Sequence, residues 1–149
     1  MNKKNYGILI LLSVFWLLPE LVNAQSDLQI SKVFEKYGSR KHVVMVEMSR
    51  EMLASYNMTL YKSISIKEDP SAVEFVRNCL SKDKEGAKKI KQVMKGGELV
   101  SAYYQLNKRG KDNRFILFRS DPLNVVTLIY IETEEETDNI VNMLLKKKQ

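Results

Sequence analysis

Residues 125–131, with the sequence VVTLIYI, are apolar at almost every position and rich in β-branched side chains. A run of this kind is typical of a strand inside a sheet, with both faces at least partly covered. Residues 98–106 and 114–119 form two more strand-like runs before it, separated by Gly110 and by a Ser-Asp-Pro turn at 120–122. The pattern predicts a three-stranded antiparallel meander made of residues 98–106, 114–119 and 125–132.

The segment before this meander carries two more strand patterns and one clear helix start. Residues 42–48 and 60–66 have the apolar, β-branched character of strands. Asp69 is a good N-cap, and Pro70 fits the first helical position after it. The helix that they predict has an apolar face made of Val73, Val76, Cys79 and Leu80.

Four further helices are predicted from capping residues and apolar spacing. They are a first helix capped by Ser26 or Asp27, which buries Leu28, Val33, Phe34 and Tyr37 and stops at a left-handed Gly38; a short helix capped by Ser49, through Met52, Leu53 and Tyr56; a basic helix at residues 84–95, closed by Gly96 and Gly97; and a last helix with the capping box Thr133 and Glu136, which buries Ile140, Val141, Leu144 and Leu145. The predicted fold class is α+β, a mostly antiparallel sheet of about five strands with helices packed on it, and a ferredoxin-like arrangement is the nearest named possibility.

The first 24 residues have the three parts of a cleavable secretory signal peptide. Lys3 and Lys4 give a cationic start, and residues 8–18 form an apolar run of about eleven residues, whereas a membrane-spanning helix needs about twenty. Residues 22–24, Val-Asn-Ala, suit a signal peptidase, so cleavage is expected before Gln25. The alternative, an N-terminal core helix, fits this order of features less well, and no transmembrane anchor is expected in the mature form.

The remaining residues, 25–149, have the size of one domain and are predicted to form a single α+β unit. Cys79 is the only cysteine, so an intrachain disulfide and a lipid anchor on an N-terminal cysteine are excluded. Loss of the two lysines and one glutamate of the signal takes the net charge from +6 to +5. We expect an exported protein of a bacterium, periplasmic or secreted.

Both ends of the mature chain resemble a known group of proteins. Residues 34–38 (FEKYG), 42–49 (HVVMVEMS) and 52–53 (ML) are similar to the opening, and residues 128–131 (LIYI) to the closing strand, of small exported bacterial proteins of unknown function. Residues 67–97 have no counterpart in this resemblance. It implies an exported α+β domain without a known enzymatic activity, and it implies no catalytic residue.

Catalytic and metal-binding patterns find little support in the residues. His42 and Cys79 are the only residues of their types, whereas nucleophilic catalysis needs a nucleophile beside a base and zinc needs three or four ligands. We expect a buried, inert Cys79, although an exposed one would invite pairing between chains. Glu47 and Glu132 are a conceivable carboxylate pair for glycoside chemistry if the sheet brings them together. No catalytic residue, cofactor or metal site is predicted, and the acids at 134–138 fit the first turn of the last helix.

Basic residues form two clusters, at positions 82–95 and around the turn at 107–113. Between Arg114 and Arg119, Phe115 or Phe118 would make a basic-aromatic surface with Tyr103 if helices leave that sheet face open. The alternatives are a face covered by helices and solvated lysines with no partner. The candidate interaction surface therefore consists of Tyr103, Lys108, Arg109, Lys111, Arg114 and Arg119.

Export limits the partners of such a surface. Nucleic acid is not expected outside the cytoplasm, which leaves an envelope protein or an anionic lipid or glycan. The sequence favours a non-catalytic binding protein, and the alternative is a hydrolase with a carboxylate or hydroxyl site that no motif reveals. A pocket with converging polar groups and shifted acid pKa values would favour the enzyme, and an exposed apolar patch edged with lysine would favour binding.

Overall fold

The computed structural model describes residues 27–146, which fold into a six-stranded antiparallel sheet with helices on both faces. The strands are β1 (Val43–Met48), β2 (Met58–Ile66), β3 (Lys88–Lys95), β4 (Glu98–Arg109), β5 (Asp112–Ser120) and β6 (Val126–Thr133). The helices are α1 (Ser31–Tyr37), α2 (Arg50–Leu53), which a 3-10 turn (Ala54–Tyr56) continues, α3 (Pro70–Asp83) and α4 (Thr137–Lys146). The α+β class is confirmed. The predicted signal peptide lies outside the described residues.

The strands lie in the order β1-β2-β6-β5-β4-β3, and every neighbouring pair is antiparallel. The last strand, β6, lies between β2 and β5, which explains the apolar run at residues 125–131. The predicted meander is confirmed as β4, β5 and β6. The sheet has six strands and not five, and a ferredoxin-like arrangement stays an unconfirmed prediction.

The sixth strand comes from the basic segment that was predicted to be a helix at residues 84–95. Lys88–Lys95 pairs antiparallel with β4 as strand β3, and Gly96 and Gly97 form the hairpin turn between them with φ angles of 59° and 79°. Positive φ at both central positions is the requirement of the tight turns that match strand twist. The helix prediction is wrong because lysine favours helices only weakly, and pairing with β4 decides the local structure.

Two other local predictions at helix ends are wrong. The backbone of Gly38 is right-handed, with φ −57° and ψ −25°, so glycine is needed here for space: an added Cβ would lie 2.5 Å from the carbonyl oxygen of Phe34 and 2.8 Å from the sulfur of Met45. Helix α1 begins at Ser31 with Ile30 as its N-cap, and Asp27 does not cap it, because the chain makes further turns first; Ser26 lies outside the described residues.

The start of the last helix also differs from its prediction. Thr133 ends β6, and its hydroxyl donates to the carbonyl of Asn57 at 2.6 Å and accepts the N–H of Glu135 at 3.0 Å. Helix α4 begins only at Thr137, because these contacts form a turn between the strand and the helix. Ile140 is buried as predicted, and the side chains of Val141, Leu144 and Leu145 lie outside the described residues.

Asp69 and Pro70 start helix α3 as predicted, since the Asp69 side chain accepts the N–H of Ala72 at 3.1 Å. The apolar face of α3 and that of α1 pack on one side of the sheet, here called the inner face. Its strand residues include Tyr104, Ile116 and Leu128. The outer face is the opposite side, where a smaller cluster contains Leu53, Met58, Tyr103, Phe115, Ile131 and Ile140. Among residues 27–146, none of the helices is both long and apolar enough to cross a membrane.

Candidate binding surfaces

The predicted basic-aromatic surface is not formed, because its aromatic residues are buried. Tyr103 is only 5% exposed and belongs to the outer-face cluster, with its ring centroid 5.8 Å from that of Phe115. Phe118 lies on the inner face, in the core beneath the helices. The alternative in which helices cover this region is therefore correct for Tyr103 and Phe115: α2 and α4 contribute Leu53 and Ile140 to the same cluster.

Arg114 is also a buried residue with a structural role. Its guanidinium donates to the Asp27 carboxylate at 2.8 Å and to the carbonyl of Asn107 at 2.8 Å. These contacts tie the segment before α1 to strands β4 and β5. An arginine held in this way has its charge neutralised by a carboxylate and does not present it to a partner.

Arg109 extends this buried polar cluster. Its guanidinium donates to the carboxylate of Glu132, which also accepts the phenolic O–H of Tyr130 at 2.6 Å. Burial, together with the neighbouring Glu132 carboxylate, raises the pKa of Tyr130 well above its usual range. Glu132 and Tyr130 are buried, so Arg109 neutralises an acid inside the fold.

Lys108, Lys111 and Arg119 are the predicted residues that are exposed. The two lysines lie beside Gly110 at the tip of the β4–β5 hairpin. Arg119 lies five residues after Arg114 on β5, which places it about 17 Å away on the opposite face. The six predicted residues therefore do not form one surface.

A row of lysines lies along β3 instead, at one edge of the sheet, with Lys89 on the inner side and Lys88 and Lys91 on the outer side. Lys88, Lys89, Lys91 and Lys95 are exposed along this strand. Lys88 pairs with Gln105 on β4, so Lys108 lies about 10 Å beyond the start of β3. We call Lys88, Lys89, Lys91, Lys95, Lys108 and Lys111 the basic strip, and it is about 30 Å long at ordinary strand spacing.

The charges of the basic strip are not neutralised within the fold. In the part of the chain that the structure describes, no carboxylate lies within 4 Å of any of these six ammonium groups. Glu98, at the start of β4, instead pairs with Arg77 on α3 at 3.0 Å. Val93 and Met94 are exposed between Lys91 and Lys95, so the strip includes an apolar patch edged with lysine.

An open cleft of about 1190 Å³ adjoins the end of the strip at Lys95. Lys91, Lys95 and Arg119 all line it, and the register Val93–Ser101–Arg119 across three strands puts Arg119 level with Val93, two strands in from the edge. Arg119 is thus the one residue of the predicted surface, besides the two hairpin lysines, that adds to the exposed cations here.

Two of the three carboxylates that line this cleft, Glu98 and Asp121, are engaged in structural contacts, and the third, Glu74, is exposed. Glu98 holds Arg77, and Asp121 accepts the backbone N–H groups of Leu123 at 2.9 Å and Val125 at 3.0 Å. A general acid or base needs a carboxylate that can reach a substrate proton. Glu98 and Asp121 are occupied by the fold, so Glu74 is the exposed carboxylate that faces the three cations Lys91, Lys95 and Arg119 in this cleft.

Asp83 is the one carboxyl group of the described residues whose pKa is clearly raised, and burial is the main cause. Its two oxygens accept the N–H groups of Gln29 at 2.7 Å and Ile30 at 2.8 Å. The carboxylate therefore anchors the chain that leads into α1. Cys79, one turn earlier on α3, is buried as expected, and burial followed by the charge of Asp83 raises the pKa of its thiol.

The remaining candidates for chemistry are also dispersed. His42 is exposed, with Nδ1 3.8 Å from the Glu68 carboxylate. Glu47 pairs with Lys62 on β2 at 3.3 Å, and Lys62 stands between Glu47 and strand β6, so Glu47 and Glu132 do not form a facing carboxylate pair. Within residues 27–146, no three His, Cys, Asp or Glu side chains come together as a set of metal ligands.

One protein-family model matches most of the chain. A family model described as a family of unknown function, DUF6108, matches residues 17–144. The chain belongs to the DUF6108 family. Its resemblance to small proteins of unknown function is thereby confirmed, and the DUF6108 match also covers residues 67–97, which had no counterpart in that resemblance. None of the curated proteins compared with the chain matches it.

Sequence reasoning missed the basic strip because it assigned residues 84–95 to a helix. The signal that identifies a strand is the Gly96–Gly97 pair between two segments of similar length, which is typical of a hairpin. With that turn recognised, the lysines fall on an edge strand, where lysine commonly prevents association between sheets.

Proposed function

We propose that this DUF6108 protein is an exported, non-catalytic binding protein of the bacterial envelope, and that it binds an anionic surface component through the basic strip. The observation that carries this proposal is the row of six exposed lysines along one sheet edge, with Val93 and Met94 exposed among them. An anionic lipid or glycan surface presents repeated phosphate or carboxylate groups, which a row of ammonium groups can contact together.

The energy of such binding follows from the number of lysines that reach the surface. A basic residue near an anionic membrane contributes about 1 kcal/mol, and the contribution decreases within a Debye length. Six lysines therefore give about 6 kcal/mol at low salt, enough for reversible attachment. Val93 and Met94 add apolar contact that salt does not screen.

The test compares two triple variants with the same change in net charge. Lys88→Glu/Lys91→Glu/Lys95→Glu reverses half of the strip, and Lys32→Glu/Lys36→Glu/Lys67→Glu reverses three exposed lysines away from both edges of the sheet. Binding is measured by co-sedimentation with phosphatidylcholine vesicles that contain or lack phosphatidylglycerol, and with a soluble anionic polysaccharide. Circular dichroism confirms that both variants are folded.

We expect the strip variant to lose about 3 kcal/mol or more of binding free energy, about a hundredfold in affinity, because three favourable charges become unfavourable. The control should lose much less. Equal losses in the two variants would mean that net charge and not the strip governs binding. Binding that neither variant changes would contradict the proposal.

Export is the second part of the proposal, and it rests on the order of cationic, apolar and small residues at the start of the chain. The full chain is expressed in a bacterium, the cell fractions are separated, and the N-terminus of the protein is sequenced. We expect a chain that begins at Gln25 in the periplasm or the medium. A chain that keeps residues 1–24 and stays in the cytoplasm would contradict export.

A further inference from the structure

The opposite edge of the sheet, β1, is built very differently from the basic edge. Among residues 27–146 no strand pairs with its outer side, and Val44, Met45 and Val46 are 58%, 42% and 41% exposed. An exposed apolar edge strand is a template for pairing with another strand, and proteins usually block it with lysine, proline or a bulge. Strand β3 has lysines and two register shifts, whereas β1 has neither.

The backbone groups that β1 offers can be identified from one hydrogen bond. The N–H of Lys67 donates to the carbonyl of His42 at 3.1 Å, and the register of β1 with β2 places these two residues opposite each other. Hydrogen-bonded and non-hydrogen-bonded pairs alternate along an antiparallel ladder. The N–H and C=O groups of Val43, Met45 and Glu47 therefore point away from β2.

We propose that a second copy of this chain pairs with β1 through its own β1, antiparallel and about a two-fold axis at Met45. In this register Met45 faces Met45 of the second copy in a hydrogen-bonded pair. Val44 faces Val46 on the outer face, and Val43 faces Glu47 on the inner face. The two sheets become one continuous sheet of twelve strands.

Charge complementarity favours a second copy as the occupant. Glu47 is the only charged residue of β1, and Lys62 of the same chain already pairs with it at 3.3 Å. In the two-fold register Glu47 lies opposite an apolar Val43 of the second copy, so no like charges face each other. The apolar residues Val44 and Val46 meet apolar partners on both sides of the axis.

The same contrast between the edges explains why association would stop at a dimer. Pairing of β1 with β3 of another copy would leave a free β1 and a free β3 at the ends and would continue without limit. The lysines and register shifts of β3 oppose that arrangement. Pairing of β1 with β1 uses the open edge of both copies and closes the assembly.

The first test uses charges at the facing outer-face pair, on protein purified after expression of the full chain. Val44→Lys/Val46→Lys sets lysine opposite lysine at two symmetric places, and Val93→Lys/Met94→Lys makes the same change on exposed residues of β3. Val44→Lys/Val46→Glu sets lysine opposite glutamate in the Met45-centred register. Sedimentation equilibrium over a range of concentrations gives the dimer dissociation constant, and circular dichroism confirms folding.

We expect dimers for the unchanged protein, for Val93→Lys/Met94→Lys and for Val44→Lys/Val46→Glu, and a dissociation constant raised at least about tenfold for Val44→Lys/Val46→Lys. The proposal is overturned if the unchanged protein is monomeric at all concentrations. It is also overturned if Val44→Lys/Val46→Lys dimerises with the same dissociation constant as the unchanged protein. A monomer whose β1 resonances shift only when an unrelated extended peptide is added would identify a peptide ligand and would likewise overturn the proposal.

The second test fixes the register. The Cα atoms of a hydrogen-bonded antiparallel pair are about 5.5 Å apart, within the range of a disulfide. Met45→Cys should therefore crosslink two copies under a mild oxidant, while Val46→Cys, which faces position 44, should crosslink far more slowly. The native Cys79 is buried and does not compete. Crosslinking of Val46→Cys alone, or of neither variant, would overturn the two-fold axis at Met45.

Discussion

Removal of the Glu132 carboxylate tests whether the buried polar cluster acts as a unit. Glu132 accepts the O–H of Tyr130 at 2.6 Å and a donor of Arg109, and both Glu132 and Tyr130 are buried. Glu132→Leu leaves the Tyr130 O–H without this acceptor, which costs about 1–3 kcal/mol. The Arg109 side chain is 33% exposed, so solvent screening limits the loss from its ion pair with Glu132 to about 1 kcal/mol or less. The expected loss in the free energy of unfolding is about 3 kcal/mol.

The partner variants separate the hydrogen bond from the loss of packing. Tyr130→Phe should cost about 1 kcal/mol, because Glu132 keeps Arg109. The double variant Tyr130→Phe/Glu132→Leu removes both the donor and its acceptor, so it should cost about 1–2 kcal/mol less than the sum of the single variants. Glu132→Gln, which keeps an acceptor for Tyr130, should cost less than Glu132→Leu.

Urea unfolding followed by circular dichroism measures these differences. With an m-value of about 1.5 kcal/mol per molar, a loss of 3 kcal/mol lowers the midpoint by about 2 M. Costs that add within about 0.3 kcal/mol in the double variant would refute the reasoning, because they would show that the Tyr130–Glu132 contact carries no coupling energy.

Three further predictions concern single buried groups. Tyr103→Phe should leave stability unchanged or raise it by up to about 1 kcal/mol in the same urea assay, since the Tyr103 hydroxyl has no hydrogen-bond partner within residues 27–146; a clear loss would reveal a partner. Burial raises the pKa of Asp83 above its ordinary 3.8, so its contribution to stability is greatest below that pH and decreases as the pH rises through the folded-state pKa. As the pH rises from about 3.8 through the folded-state pKa, the unchanged protein should therefore lose stability relative to Asp83→Asn. A difference in unfolding free energy that does not change with pH would contradict the raised pKa. Cys79 should react with a thiol reagent only as fast as the chain opens, and labelling as rapid as in urea would show that it is accessible.

The sequence was sufficient where one local rule determines the structure. Asp69 and Pro70 fix the start of α3 because a cap and a preset φ act within a few residues. The composition of residues 125–131 predicted a central strand because a short, β-branched run that is apolar at successive positions is typical of a strand covered on both faces. Helix and strand propensities of lysine differ too little to decide β3, which depends on pairing with β4.

The candidate site was harder to predict because it depends on contacts between residues that lie far apart in the chain. Alternation of side chains along β4 places Tyr103 and Tyr104 on opposite faces, but it does not reveal which helix covers a face. Arg114 looked like part of a basic cluster, and its partner Asp27 is 87 positions away in the sequence. Local charge density therefore overestimated the cations available to a ligand at the hairpin, and it detected the lysines of β3 while assigning them to the wrong element.

The two proposals together make a prediction that simple electrostatics does not. In the proposed dimer the β3 edges lie at the two ends of twelve strands, about 50 Å apart at ordinary strand spacing, so each dimer presents two basic strips. Two linked strips bind a continuous anionic surface more tightly than one. Val44→Lys/Val46→Lys adds two positive charges to each chain, and charge alone would make it bind phosphatidylglycerol vesicles more tightly than the unchanged protein. In the proposed scheme Val44→Lys/Val46→Lys is a monomer with a single strip, so it should bind the vesicles more weakly than the unchanged protein does. Its affinity for a short polyanion that spans a single strip should be unchanged or higher. Tighter binding of this variant to both ligands would show that the strips act independently.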